Sequence, residues 1–587
     1  MVFLSAQSPA RAAHGISLDG KLKYAADFDH FAYSDPARAR VGGTLTLHGI
    51  GGFDTMNPYT LKGTPPDMLS AFLFETLTVQ SHDEPFAQYG LLARDIELAP
   101  DGQSITYTLN DAARFADGAP VTSADVAFSF ETLTSEQAHP FYQSYWKDIS
   151  RAEILDPRRI RFHFARKNRE LPLITGELPV FSKAFFSKHS FKDLALTPPL
   201  GSGPYAIAEF DAGKTITYQR RSDYWGWNLP TRKGFFNVDK VVVKFYKDPV
   251  VALEAFKAGE FDVQLENNSK QWARDYTGPR FESGEIRTET LAHRNGAGMQ
   301  GFAFNLRKSM FQDIRVRKAI GLAFDFEWSN TNLFYGQYTR TTSYFANSDM
   351  AASGKPSAKE MLLLEPFKDR LDPQVFEVPP SPPTTTPPGS VRNNLKEARE
   401  LLTAAGWKMG PDNLLVDGQG NPFVIEMMLS SQAFERVVAP FAENLKRLGI
   451  RLEYRTVDPS LYQRNMDRFA FDMTVAVFPQ SQSPGNEQRS MWHSESAAVE
   501  GSRNLIGIQH PAVDALVERI IYAESREELV QACRALDRVL LSGHYLVPNW
   551  HIPYHRIAYW NRFDRPATPP LYFSPMDWIT TWWIRKE

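Results

Sequence analysis

The sequence predicts a mixed α/β fold organised as two lobes, with an extra α+β domain inserted in the first. Three observations carry that expectation. The 587 residues suffice for two or three core-bearing units, and 43% hydrophobic with 23% charged residues is ordinary globular composition. Alternating apolar runs and amphipathic stretches succeed one another along the first half of the chain. After roughly residue 290 that pattern restarts, as a second lobe does.

Taken in order, GTLTLHGI (Gly43–Ile50) alternates Leu45 and Leu47 with Thr44 and Thr46 and reads as a strand running into the loop GGFDTMNPYTLKG. Ser104–Asn110 and Arg158–Ala165 are further alternating runs. Between them, Thr122 with Asp125 three residues on caps a helix with Val126, Phe130 and Leu133 on one face. In GSGPYAIAEFDAGKTITYQRRSDYWG (Gly201–Gly226), Gly201 and Gly203 permit a tight turn and Tyr205, Ile207 and Glu209 alternate as a strand. Gly213 marks a hairpin, Thr215–Arg220 is the return strand, and Tyr224 with Trp225 offers apolar surface for a wedge. Asp248-Pro249 starts a helix that Gly259 stops. In the second lobe GFAFNL reads as a strand, and Val316, Ala319, Ile320 and Ala323 form a helical stripe. Asn394 with Glu397 caps a helix carrying Leu395, Ala398, Leu402 and Ala405, and RLEYRTVD and FDMTVAVF are strands. VPPSPPTTTPPGS (Val378–Ser390) cannot donate the hydrogen bonds of a sheet or helix and is expected as an extended surface loop.

Composition excludes several function classes. A net charge of −3 gives no broad attraction to nucleic acid or anionic membrane, and no run of 18 apolar residues exists to span a bilayer. Cys533 is the sole cysteine, so neither an intramolecular disulfide nor a multi-thiolate metal site can form; its place in LVQACRALDRVL makes it a core thiol. Residues 1–12 end in Ala10-Arg11-Ala12, a small-x-small pattern expected as the remnant of a signal peptide, with the mature chain beginning near Ala13. With no cysteine near the start, no lipid anchor is expected on this chain. Gly296–Gly301 spells GxGxxG but precedes a strand instead of a helix, and GISLDGKL has Leu22 where a P-loop needs Ser or Thr. His551 and His555 are spaced for zinc only on a helix, which Pro553 opposes. No GxSxG elbow occurs, so a hydrolase has no positive evidence; with the rejected motifs set aside, no catalytic residue, metal or cofactor is expected.

Five segments in one order carry a family resemblance: LLARDIELAPDGQSITYTLNDAARFADGAPVTSADVAFSFETL, the Gly201–Gly226 hairpin, ALEAFKAGEFDV, GFAFNLRKSMFQDIRVRKAIGLAFDFEW and NLKEARELLTAAGW. Together they resemble the extracytoplasmic solute-binding proteins of the oligopeptide and nickel class (family 5), which deliver ligands to ABC importers. LFYGQYTR, SQSPGNEQR and GSRNLIGIQHPAVDALV are most similar to the YejA-like branch, associated with peptides and peptide-like antibiotics such as microcin C. The resemblance implies a type II periplasmic-binding-protein fold with a hinge between lobes. Lobe I is expected as 13–61, 200–289 and 553–587, its extra domain as 62–199, and lobe II as 290–552. It further implies a monomeric periplasmic protein without enzymatic activity, partnered by a short peptide or peptide-like ligand and by permease subunits of the inner membrane.

The ligand is expected in the cleft between lobes. From lobe I the candidates are Asp54 and Asn57 in the loop Gly52–Asn57, with a local Asx turn as the competing reading. From lobe II they are Gln480, Gln482, Asn486, Glu487 and Arg489 in PQSQSPGNEQR, where amides and charge follow an apolar strand, with Trp492 as an aromatic candidate. Peptide-binding relatives often place there an aspartate for the peptide ammonium; none stands between Pro479 and Arg489, and Glu487 is the available substitute. Arg340, in YTRTTSYF, resembles a carboxylate anchor of relatives, with a surface or lobe-packing arginine as the alternative. The missing aspartate keeps open an oligosaccharide or sugar-conjugate ligand such as an opine, and more remotely a secreted hydrolase.

Overall fold

Leu45 and Leu47 are buried on one face of the strand Thr44–Ile50, which pairs in parallel with Lys240–Tyr246. Through that strand it joins the hairpin Tyr205–Asp211 and Thr215–Arg220 in a four-stranded sheet. The computed structural model describes residues 12–586, so the expected leader remnant lies outside the described residues but for its last position. Gly213 turns the hairpin at φ 72°, a left-handed conformation open to glycine. Gly201 and Gly203 are needed for a different reason from the expected turn. A Cβ would stand 2.0 Å from the Leu73 carbonyl oxygen at Gly201 and 2.2 Å from that of Phe72 at Gly203, so backbone approach excludes any side chain.

The aromatic corner after the hairpin closes over a charge. Tyr224 donates its hydroxyl to the carboxylate of Glu75, Trp225 Nε1 donates to it at 3.0 Å, and Arg232 lies 3.7 Å away. Glu75 is 2% exposed, and burial raises its pKa against the opposing pull of Arg232. A second, antiparallel sheet orders Ala93–Leu98, Ser104–Leu109, Arg159–Phe164 and Ile149–Asp156. The helix Ser123–Leu133 beside it is capped as its sequence predicts, the Asp125 carboxylate accepting from Thr122 N at 2.9 Å and Thr122 Oγ1 at 2.7 Å. These elements share one hydrophobic core with the first sheet.

After residue 293 a five-stranded mixed sheet forms in the order Arg451–Thr456, Val424–Leu429, Met473–Phe478, Met299–Phe304, Leu546–Pro548. The helix Ile314–Leu322 buries Val316, Ala319 and Ile320. Helix Val391–Ala404 begins earlier than expected: Ser390 Oγ accepts from Asn393 N at 3.2 Å and takes the cap, leaving Asn394 inside the helix, where its Nδ2 donates to the Thr384 carbonyl. Cys533 is fully buried in the helix Arg526–Ser542, and burial holds its thiol well above the usual range.

The chain divides into two units. One runs through Leu265 and adds Pro279–His293 and the stretch from Ile557; the other comprises Glu266–Gly278 and Arg294–Arg556. The segment Glu266–Gly278, which the sequence reading placed in lobe I, groups with the second unit. There Tyr338 donates its hydroxyl to the Asn267 carbonyl at 2.7 Å and Gln337 Nε2 donates to that of Ser269 at 3.4 Å. Such side-chain contacts from distant sequence are invisible in local periodicity.

Candidate functional site

In the first unit Asp54 and Asn57 organise their own loop. Asp54 Oδ1 accepts from Thr64 N at 2.6 Å. Asn57, 3% exposed, accepts from Tyr59 N at 2.9 Å and donates Nδ2 to the Phe191 carbonyl at 2.6 Å. That is the Asx-turn geometry, extended by a long-range hydrogen bond.

In the second unit the segment 479–492 is a knot of internal contacts. Gln488 Nε2 donates to Gln480 Oε1 at 2.7 Å and to Glu487 Oε1 at 3.0 Å, and Gly485 N donates to both oxygens of Glu487 at 2.9 and 3.1 Å. Burial pushes the Glu487 carboxyl up, against these donors. Gln482 Nε2 donates to the Arg294 carbonyl at 2.8 Å, and Asn486 is fully buried at the start of the helix Glu487–Trp492. Arg489, 5% exposed, donates Nε to Glu518 Oε1 at 2.8 Å and Nη2 to the Tyr522 hydroxyl at 2.7 Å. Trp492 is 0% exposed, with its Nε1 on Gln488 Oε1 at 3.0 Å and its ring against Phe478 and Tyr344. Gln480 Nε2 is buried and meets no acceptor among the described residues.

Arg340 stands apart from that segment. It lies on a two-residue ribbon, Thr339–Arg340 against Trp550–His551, with Arg340 opposite Trp550. Its guanidinium lies 4.9 Å from the Phe324 ring centre and 5.2 Å from that of Phe326. Among the described residues its Nε, Nη1 and Nη2 are all shielded from solvent and meet no hydrogen-bond acceptor. Burial pulls its pKa down to about 9, against the upward pull of Glu327 and Asp325. Those carboxylates are engaged by the proline-rich loop. Thr384 Oγ1 and Thr385 N donate to Glu327 at 2.8 and 3.1 Å, and Thr385 Oγ1 donates to Asp325 at 2.6 Å. Cation–π contact offsets part of the desolvation, but five N–H donors without acceptors are a standing invitation to an anion.

The neighbourhood holds more of the same, none of it singled out from sequence. Asn549 follows the strand Leu546–Pro548; its backbone N–H donates to the Gln300 carbonyl and its carbonyl accepts from Thr341 N, while both amide atoms of its fully buried side chain lack partners among the described residues. Arg556, 2% exposed, has Nε and Nη2 unpartnered, and Arg436 has Nε unpartnered. Arg556 sits in HIPYHR, a stretch read only for its histidines; His551 Nδ1 instead bonds Thr341 Oγ1 at 3.0 Å. No group of three His, Cys, Asp or Glu side chains among the described residues could hold a metal ion, and none of their helices is long and apolar enough to cross a membrane.

The class of protein follows from fold and relatives together: a mixed α/β solute-binding protein. The sequence model described as bacterial extracellular solute-binding proteins, family 5 Middle, matches residues 87–499, and the chain belongs to that family. It is 39% identical to the probable peptide-binding protein YejA of Agrobacterium fabrum over 99% of this chain and 95% of that protein. It is 34% identical to the peptidoglycan-binding protein YepA of the same organism, over 98% and 95%. The oligopeptide-binding protein AppA of Bacillus subtilis, solved with a nonapeptide, shares the fold with a TM-score of 0.75 at 18% identity, covering 94% of this chain and all of that one.

Proposed function

We propose that this chain is the periplasmic substrate-binding protein of an ABC importer, capturing short peptides or peptide-like compounds and passing them to inner-membrane permeases, with Arg340 holding a ligand carboxylate. Membership of family 5 supports the class, and the single observation that carries the ligand reading is the Arg340 guanidinium, lying against Phe324 and Phe326 with no acceptor among the described residues. A carboxylate arriving there accepts charge-assisted hydrogen bonds that the protein itself leaves unmade. Gln480, with its free Nε2, is the best placed of the amide candidates. Glu487 already accepts from its own turn, so its service as an ammonium anchor rests on its remaining lone pairs.

A sugar-bearing peptide is the second reading, favoured by the similarity to a protein named for peptidoglycan binding. Native mass spectrometry of the protein purified from cells, followed by release of whatever is bound, separates the two. A ladder of peptide masses supports the first, a discrete sugar-containing mass the second, and a tightly bound species of neither kind overturns both.

A further inference from the structure

Three arginines of the second unit carry guanidinium nitrogens that are shielded from solvent and lack acceptors among the described residues: Arg340 at all three, Arg556 at Nε and Nη2, Arg436 at Nε. One aromatic floor connects them. Trp550, opposite Arg340 on the ribbon, has its ring 6.4 Å from Phe324, 5.7 Å from Tyr338 and 6.2 Å from Phe434. Arg340 lies over Phe324, Arg556 lies 5.2 Å from the Tyr338 ring and 5.7 Å from that of Tyr554, and Arg436 follows Phe434 by two residues at the start of the helix Glu435–Leu448.

The carboxylates of this patch are committed elsewhere. Asp325 and Glu327 accept from Thr384 and Thr385, and Glu266, which attracts Arg556, accepts from the Tyr276 hydroxyl at 2.8 Å and from Asn268 N. The polar contacts that the arginines do make are long: Arg556 Nη1 to the Tyr338 hydroxyl and Arg436 Nη2 to Asn268 Oδ1, each at 3.4 Å. Each of the three carries donors without acceptors and none has a direct carboxylate partner among the described residues, so a single ligand carboxylate at Arg340 leaves two of them unanswered.

We infer that the ligand carries at least two anionic groups: one at Arg340 and a second held by Arg556 and Arg436 beside Tyr338, as in a peptide with an acidic side chain besides its terminal carboxylate. The inference rests on the binding-protein reading above and narrows its ligand class. Asn549, with both amide atoms free next to the ribbon, supplies a neutral donor and acceptor for the part of the ligand near Arg340.

The test uses the whole protein and thermal-shift titration with two synthetic peptide pools of two to five residues, alike except that one carries glutamate wherever the other carries glutamine. Tricarballylate, a small tricarboxylate, serves as a third probe against propionate. The expected result is half-maximal stabilisation at a concentration roughly ten-fold or more lower for the glutamate pool, from one added charge-assisted contact, with the difference lost in Arg436→Gln and Arg556→Gln. Equal response to both pools overturns the inference and leaves the peptide reading standing. Response to tricarballylate but to neither pool sinks the peptide reading and sustains the two-anion site. Response to none of the probes overturns both. Should either variant fail to fold, the pool comparison on the unaltered protein decides.

Discussion

Arg340 and Phe324 face each other at 4.9 Å, a cation laid on a ring where its nitrogens find no oxygen among the described residues. Removing the charge separates its two consequences. Arg340→Leu is expected to weaken ligand binding about ten-fold or more while urea stability of the ligand-free protein stays level or rises by about 1 kcal/mol, since an unpaired buried charge is replaced by packing. Loss of stability with unchanged affinity makes Arg340 a packing residue.

Arg489 and Glu518 give the contrasting case. Their ion pair at 2.8 Å joins the helix Glu487–Trp492 to Pro511–Ile521, and Glu518→Gln is expected to lower stability by about 1–2 kcal/mol, discounted because Glu518 is 34% exposed. Ligand affinity measured by calorimetry is expected to stay within about two-fold. A larger loss of affinity restores Arg489 to the ligand.

Asn57→Ala removes the donor on the Phe191 carbonyl and the acceptor for Tyr59 N. Urea unfolding should register about 2 kcal/mol. If stability holds and affinity falls, the loop serves the ligand.

His48 is expected to make the protein acid-sensitive. Its ring stacks on Phe261 with centres 4.4 Å apart, and burial pulls its pKa from 6.5 down to about 4. Between those values the unfolded chain binds a proton that the folded one refuses, so the stabilisation present above pH 6.5 is lost as pH falls through 4. His48→Gln is expected to flatten the urea midpoint across that window, by about 2 kcal/mol once partial exposure of the ring is allowed for.

Glu487 has the opposite sign. Its raised pKa means the folded state holds a proton more readily than the unfolded one, so ionisation costs stability as pH rises. Glu487→Gln should therefore be more stable than the parent at pH 7, with the gain vanishing below about 4.5, the ordinary carboxyl value. An unchanged difference at both pH values, read by urea unfolding, disproves it.

Much of the scaffold was readable from local pattern. The alternation at Leu45 and Leu47, the Thr122–Asp125 cap, the Asp248-Pro249 start and the turn at Gly213 each rest on near neighbours in sequence, and each formed where expected. The cap of helix Val391–Ala404 was misplaced because Ser390 competes with Asn394 and proximity alone does not choose. The site was less legible for the same reason in reverse. What marks Arg340, Arg436, Arg556 and Asn549 is buried side-chain atoms that meet no partner among the described residues, a property of every other residue's position. In the polar cluster Gln480–Arg489 the sequence shows donors and acceptors but not that Gln480, Glu487, Gln488 and Arg489 already bond within the protein.

The threonines of the proline-rich loop act on Arg340 from a distance. Thr384 and Thr385 hydrogen-bond Asp325 and Glu327, the two carboxylates whose charge acts on the arginine without bonding it among the described residues. If Arg340 receives an anion as proposed, stripping both hydroxyls is expected to free those carboxylates to compete with an incoming acidic solute, an influence exerted by a segment that need never touch it.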